Sequence, residues 1–91
     1  MIQILITYQL PKEGLVELES EFKVSYPDKI VLSKDDLLDG IESSEAIITA
    51  FGHPLPEEVI RKGKKLQIIS NFGAGVDNIP IQVASERGII V

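Results

Sequence analysis

The 91 residues amount to one domain at most, and 44% hydrophobic with 25% charged residues is a globular composition, which excludes the disordered class. Fourteen acidic against nine basic residues give a net charge of −5, which argues against nucleic acid and anionic membrane surfaces as partners. The lack of cysteine excludes a disulfide scaffold, a thiolate nucleophile and a cysteine-ligated metal, and suits a reducing cytoplasm.

The chain opens on Met1-Ile2-Gln3-Ile4-Leu5-Ile6, without a basic segment or a small-residue cleavage site, so it reads as a first strand, Ile2 to Thr7. Leu15, Leu18 and Phe22, spaced three and four apart, predict an amphipathic helix from Pro11 to Phe22. Lys23 to Tyr26 is a short second strand stopped by Pro27-Asp28, and Ser33 with Asp36 three residues on predicts a capped helix start. Ala46 to Ala50 is a third strand. The helix opened by Pro54 to Ile60 has acids first and Arg61, Lys62, Lys64 and Lys65 last, the order the helix dipole favours, and Gly63 ends it. Leu66 to Ser70 is a fourth strand, Ile81 to Arg87 a helix closed by Gly88, and Ile89 to Val91 the start of a fifth strand. Alternation of strands and helices implies an α/β fold with a parallel sheet and helices on both faces. An end inside an apolar run suggests a piece of a longer chain.

In an open parallel sheet, ligands bind beyond the carboxyl ends of the strands. Three loops leave those ends: Tyr8 to Leu10, Phe51 to His53, and Asn71 to Asn78. The last holds Gly73 and Gly75, which let backbone approach a ligand and let successive N–H groups face an anion. The plain alternative is a strand-to-helix turn that needs glycine for its geometry. Gly73 to Asn78 is also one residue short of a dinucleotide fingerprint, with Asn78 in place of the third glycine and the acid expected ~20 residues on falling past Val91. His53, the only histidine, lacks a carboxylate neighbour in sequence and reads as a loop residue; Asp77 reads as a loop or cap residue.

The run Leu66 to Ile79, then Ala84-Ser85-Glu86-Arg87-Gly88-Ile89-Ile90-Val91, resembles the D-isomer-specific 2-hydroxyacid dehydrogenases, which include phosphoglycerate, glycerate and glyoxylate (hydroxypyruvate) enzymes. The G-x-G-x-D-N loop, the helix ending in Glu-Arg-Gly and the apolar strand after it match in order and spacing. One departure is Pro80, where the family often has an acidic helix cap.

The resemblance implies a flavodoxin-like open parallel sheet of about five strands, here as a single, truncated substrate-binding domain over residues 1–91. It implies a cytoplasmic, homodimeric parent that interconverts a 2-hydroxyacid and a 2-oxoacid. NAD or NADP would be bound by a separate domain, absent from this chain like the catalytic arginine, glutamate and histidine. The fragment alone would then be inactive, and a missing helix that returns onto the sheet would leave one face partly bare. The backbone N–H groups of Ala74 and Gly75 would hold the substrate carboxylate, and Phe51 would wall the pocket. The rival reading is a stand-alone flavodoxin-like module that binds a small ligand or regulates.

Overall fold

Alternation along β1 (Gln3–Ile6) sends Leu5 to one face of a sheet and Ile4 and Ile6 to the other, and all three are buried. In the computed structural model, the residues described are 2–50, 53–72 and 78–91. Beside β1 run β2 (Lys23–Ser25) and β3 (Ala46–Ala50), with β4 (Ile68–Phe72) outside β3. Every pairing is parallel and the order is β2-β1-β3-β4, the flavodoxin-like order expected from the resemblance. The fifth strand is reduced to one parallel bridge, Ile68 to Ile90, held by Ile69 N–H to Ile90 O at 2.8 Å and Ile90 N–H to Gln67 O at 3.0 Å.

The helices cover the two faces unequally. Leu37 and Ile41 of α2 (Lys34–Ile41), Val59 and Ile60 of α3 (Glu57–Lys62) and Val83 and Ala84 of α4 (Ile81–Glu86) pack with Leu5, Ile47 and Ile69 on one face. On the other face Ile4, Ile6 and Ala50 meet Leu15 and Leu18, from a 3-10 turn (Lys12–Leu15) and α1 (Val16–Glu21). This splits the single helix predicted from Pro11 to Phe22; Gly14, a poor helix former, lies in the 3-10 part. Register with Ala46, Ile48 and Ala50 places Ile68, Ser70 and Phe72 on that second face. There Ile68 is 43% and Phe72 56% exposed, beside a groove of about 320 Å³ lined by Leu10, Leu15, Ile48 and Phe72 among others. The second face is thus partly bare over β4, as the resemblance implied.

Other boundaries moved for identifiable reasons. The fourth strand starts at Ile68 rather than Leu66, because Leu66 is spent on a turn after α3, its N–H on Gly63 O at 3.1 Å. Asn71 and Phe72, predicted to open the loop, instead extend β4 opposite Thr49 and Ala50. The capping box at α2 is present: Asp36 N–H donates to Ser33 Oγ, and Ser33 N–H to Asp36 Oδ2. Lys29, hydrogen-bonded to Asp36 at 2.7 Å, and the Ser33 donors hold that carboxyl at about 2. Gly63 caps α3 with an ordinary φ of −78°, so its lack of a side chain serves packing: a Cβ there would lie 2.7 Å from Ile41 Cγ1. Gly88, by contrast, has φ +72° and open space around it, the left-handed stop expected after α4. Arg87 donates to Ile60 O and, at 2.9 Å, to Gly63 O, which ties the end of α4 to the end of α3.

Candidate functional site at the strand ends

The chain crosses from β1 to β2 on one side and from there to β3 on the other, so the sheet has its topological switch point between β1 and β3. A crevice opens at the carboxyl ends on either side of such a point. Thr7 follows β1 and Thr49 lies in β3, one step beyond the paired Ile6 and Ile48, and both side chains are fully buried. Two threonines at the ends of apolar strands give a polar floor to an otherwise apolar sheet.

The floor is a directed hydrogen-bond chain. Each hydroxyl has one proton to give. Thr49 gives its proton to His53 O at 3.4 Å, and Thr7 gives its own to Thr49 Oγ1 at 3.0 Å. The Thr7 oxygen is left as an acceptor, so His53 Nδ1, 3.3 Å away, carries the proton it donates. Nε2 then keeps its lone pair in the neutral ring. Burial lowers the His53 pKa from 6.5, which keeps the ring neutral at pH 7. Protonation at Nε2 would leave the Nδ1–H link to Thr7 intact.

The same cluster reaches β4 through Asn78. Its Nδ2 donates to His53 O at 2.9 Å and to Asn71 Oδ1 at 3.3 Å, and its carbonyl accepts from Leu55 N–H at 2.9 Å. The first strand-end loop, Tyr8 to Leu10, is closed off: Tyr8 bridges Val31, and Gln9 N–H donates to Ile30 O at 2.8 Å. Of the residues singled out in the sequence, the structure brings His53 into the cluster, while Phe51, Gly73, Ala74, Gly75 and Asp77 lie outside the described residues. The residues missed by the sequence reading are Thr7, Thr49, Asn71 and Asn78 in its tethering role. The signal was present in the polar residue that ends each apolar strand, Thr7 after Ile6 and Thr49 after Ile48.

A parallel sheet in this order is an α/β fold of the kind whose ligands lie beyond the carboxyl ends of the strands. Comparison with known proteins gives the family. The model of the D-isomer specific 2-hydroxyacid dehydrogenase catalytic domain matches residues 4–91, and the chain belongs to that family. A Staphylococcus aureus (strain USA300) protein named as a 2-hydroxyacid dehydrogenase is 36% identical over the whole of this chain, which covers 29% of that relative. Among solved structures, a Thermus thermophilus protein superposes with a TM-score of 0.87 at 30% identity, over 98% of this chain and 29% of its own. The NAD+-bound 3-phosphoglycerate dehydrogenase of Entamoeba histolytica does so with 0.83 at 25% identity, over 98% of this chain and 32% of its own. The chain therefore spans about a third or less of the relatives it matches.

The family uses nicotinamide cofactors, and the described residues after β4 do not fit a dinucleotide fingerprint. Asn78 takes the place of the third fingerprint glycine, which serves close packing of helix on strand, and its side chain is committed to His53 and Asn71. The helix that follows, α4, has six residues, with Pro80 at its N-cap position and no side-chain cap. Among the described residues, no helix is long and apolar enough to cross a membrane.

Proposed function

We propose that this chain is the substrate-binding part of an NAD(P)-dependent oxidoreductase that interconverts a D-2-hydroxyacid and a 2-oxoacid by hydride transfer. The observation that carries the reading is the family match across residues 4–91. Support comes from the polar cluster at the β1/β3 switch point, next to the loop that joins Phe72 of β4 to Asn78. The backbone N–H groups of Ala74 and Gly75 hold the substrate carboxylate, and Phe51 walls the pocket. A 2-oxoacid needs its carboxylate fixed so that its carbonyl carbon faces the nicotinamide, and this orientation is the main service such a domain gives the reaction. NAD or NADP is held by residues outside this chain, as are the groups that exchange the proton. The parent works in the cytoplasm as a homodimer.

The test is Gly75→Val in the full-length protein. Valine adds a branched side chain where substrate lies against backbone, and each charge-assisted hydrogen bond lost costs ~1.5–3 kcal/mol. The expected result is a fall in kcat/KM of at least ~10-fold, since 1.4 kcal/mol is tenfold. Affinity for NAD(H) should stay unchanged. An intact kcat/KM with weakened NAD(H) binding would overturn the carboxylate assignment.

A further inference from the structure

The imidazole of His53 stands at the β1/β3 switch point, where a crevice opens in a sheet of this kind. Nδ1 donates to Thr7 Oγ1 at 3.3 Å, and that hydroxyl is fully buried at the end of β1. The two ring nitrogens point in divergent directions. Anchoring Nδ1 inward on a buried atom therefore leaves Nε2 on the outer side of a half-buried ring. The main chain of the residue is held as well: its N–H donates to Ala50 O at 3.0 Å, and its carbonyl accepts from Asn78 Nδ2 at 2.9 Å. Backbone and side chain together fix where Nε2 sits, and among the described residues Nε2 has no partner. Burial lowers the pKa from 6.5, so at neutral pH the ring is uncharged and Nε2 can only accept.

An acceptor held in place suits a donor on the ligand, and this divides the 2-oxoacids. Their carboxylate and carbonyl oxygens are acceptors and gain nothing from Nε2. A hydroxyl on the carbon next to the carbonyl is a donor. A methyl at that place would strip the Nε2 lone pair of water and leave it unmatched, which costs free energy. A second carboxylate would set its own lone pairs against it.

We propose that His53 is a specificity-determining residue whose Nε2 accepts a hydrogen bond from a substrate hydroxyl, so that the site prefers 2-oxoacids hydroxylated on the carbon next to the carbonyl. The proposal rests on the reading of this chain as the substrate-binding part of a 2-hydroxyacid dehydrogenase. His53 takes no part in the proton exchange of the reaction; it reads one group of the substrate.

The experiment uses the full-length protein at neutral pH and compares the wild type with His53→Asn, His53→Gln and His53→Phe. For each, kcat/KM is measured with hydroxypyruvate and with pyruvate, which differ by that one hydroxyl, and the thermal midpoint is recorded. An asparagine amide reaches the place of Nδ1 and keeps the tie to Thr7, but puts no atom at the place of Nε2. A glutamine amide reaches the place of Nε2 and gives up the tie. The wild type is expected to favour hydroxypyruvate. His53→Asn should lower the ratio of the two kcat/KM values ~5-fold, the weight of one neutral hydrogen bond, through hydroxypyruvate and with little loss of midpoint. His53→Gln should lose midpoint and keep the larger part of the ratio, so the two readouts rank these variants in opposite order. A ratio that follows the midpoint, or one unchanged in His53→Asn, would make His53 a structural tie and overturn the proposal. If His53→Asn does not fold, His53→Phe decides, with a fallen ratio supporting the proposal and an unchanged one overturning it. Reduction of neither oxoacid by the wild type would overturn the reading of the domain and this proposal with it. Reduction of both without a preference would overturn this proposal alone.

Discussion

At His53 the direction of three hydrogen bonds determines one proton. Thr49 and Thr7 each spend their hydroxyl proton along the chain, so the imidazole must donate from Nδ1. A folded-state pKa below 6.5 means that the unfolded chain takes up a proton first as pH falls. The contribution to stability is present above the unfolded value of 6.5 and is lost as pH drops through the lower folded value. Nitrogen NMR on the chain, which has a single histidine, reads both points directly. The expected outcome is a protonated Nδ1 and a bare Nε2 at pH 7, titrating below 6.5. The Nε2–H tautomer at pH 7 would contradict the hydroxyl chain. In the sequence, His53 stood between Gly52 and Pro54 with nothing to mark its partner. The partner, Thr7, is 46 residues away and meets it only because β1 and β3 are neighbours in the sheet.

Among the elements, the strands and helices were legible where a local pattern carries the information. Ala46–Ala50 is a strand at its predicted bounds because an apolar β-rich run is buried in the sheet centre, and Ser33 with Asp36 caps α2 through contacts three residues apart. The offset of β4 was not legible, because Leu66 serves equally well in a strand or in a turn that buries it. The two glycines that end helices illustrate the same limit. Both follow a helix, yet Gly88 is there for its backbone and Gly63 for its lack of a Cβ against Ile41. Their alanine variants should differ in cause. Gly88→Ala is expected to cost ~1–2 kcal/mol of left-handed strain, relieved in Gly88→Asn, which tolerates that conformation. Gly63→Ala is expected to cost ~1–3 kcal/mol by overpacking, and less in an Ile41→Ala background, which removes the Cγ1 atom it meets. Denaturant unfolding of the two double comparisons checks this; a smaller cost of Gly63→Ala in the Ile41→Ala background is the decisive result, and its absence would refute the packing role.

For the whole molecule, chain topology links these details to function. Four parallel strands in the order β2-β1-β3-β4 bring the residues after β1, in β3 and after β4 to one end, where separate sequence segments become a single polar cluster. The loop proposed to hold the carboxylate was read from the sequence, Gly73 to Asn78, through its resemblance to a family motif. The polar cluster was not legible there, because Thr7, Thr49, His53 and Asn78 come together only after the sheet forms. The chain spans 29% of the S. aureus relative, and the proposed reaction needs groups from outside it. The measurement that tests the account most directly is the product formed from hydroxypyruvate and NAD(P)H, analysed for chirality, with the full-length protein and with the 91-residue chain side by side. The account predicts D-glycerate from the full-length protein and no turnover from the 91-residue chain; L-glycerate, or turnover by the chain alone, would contradict it.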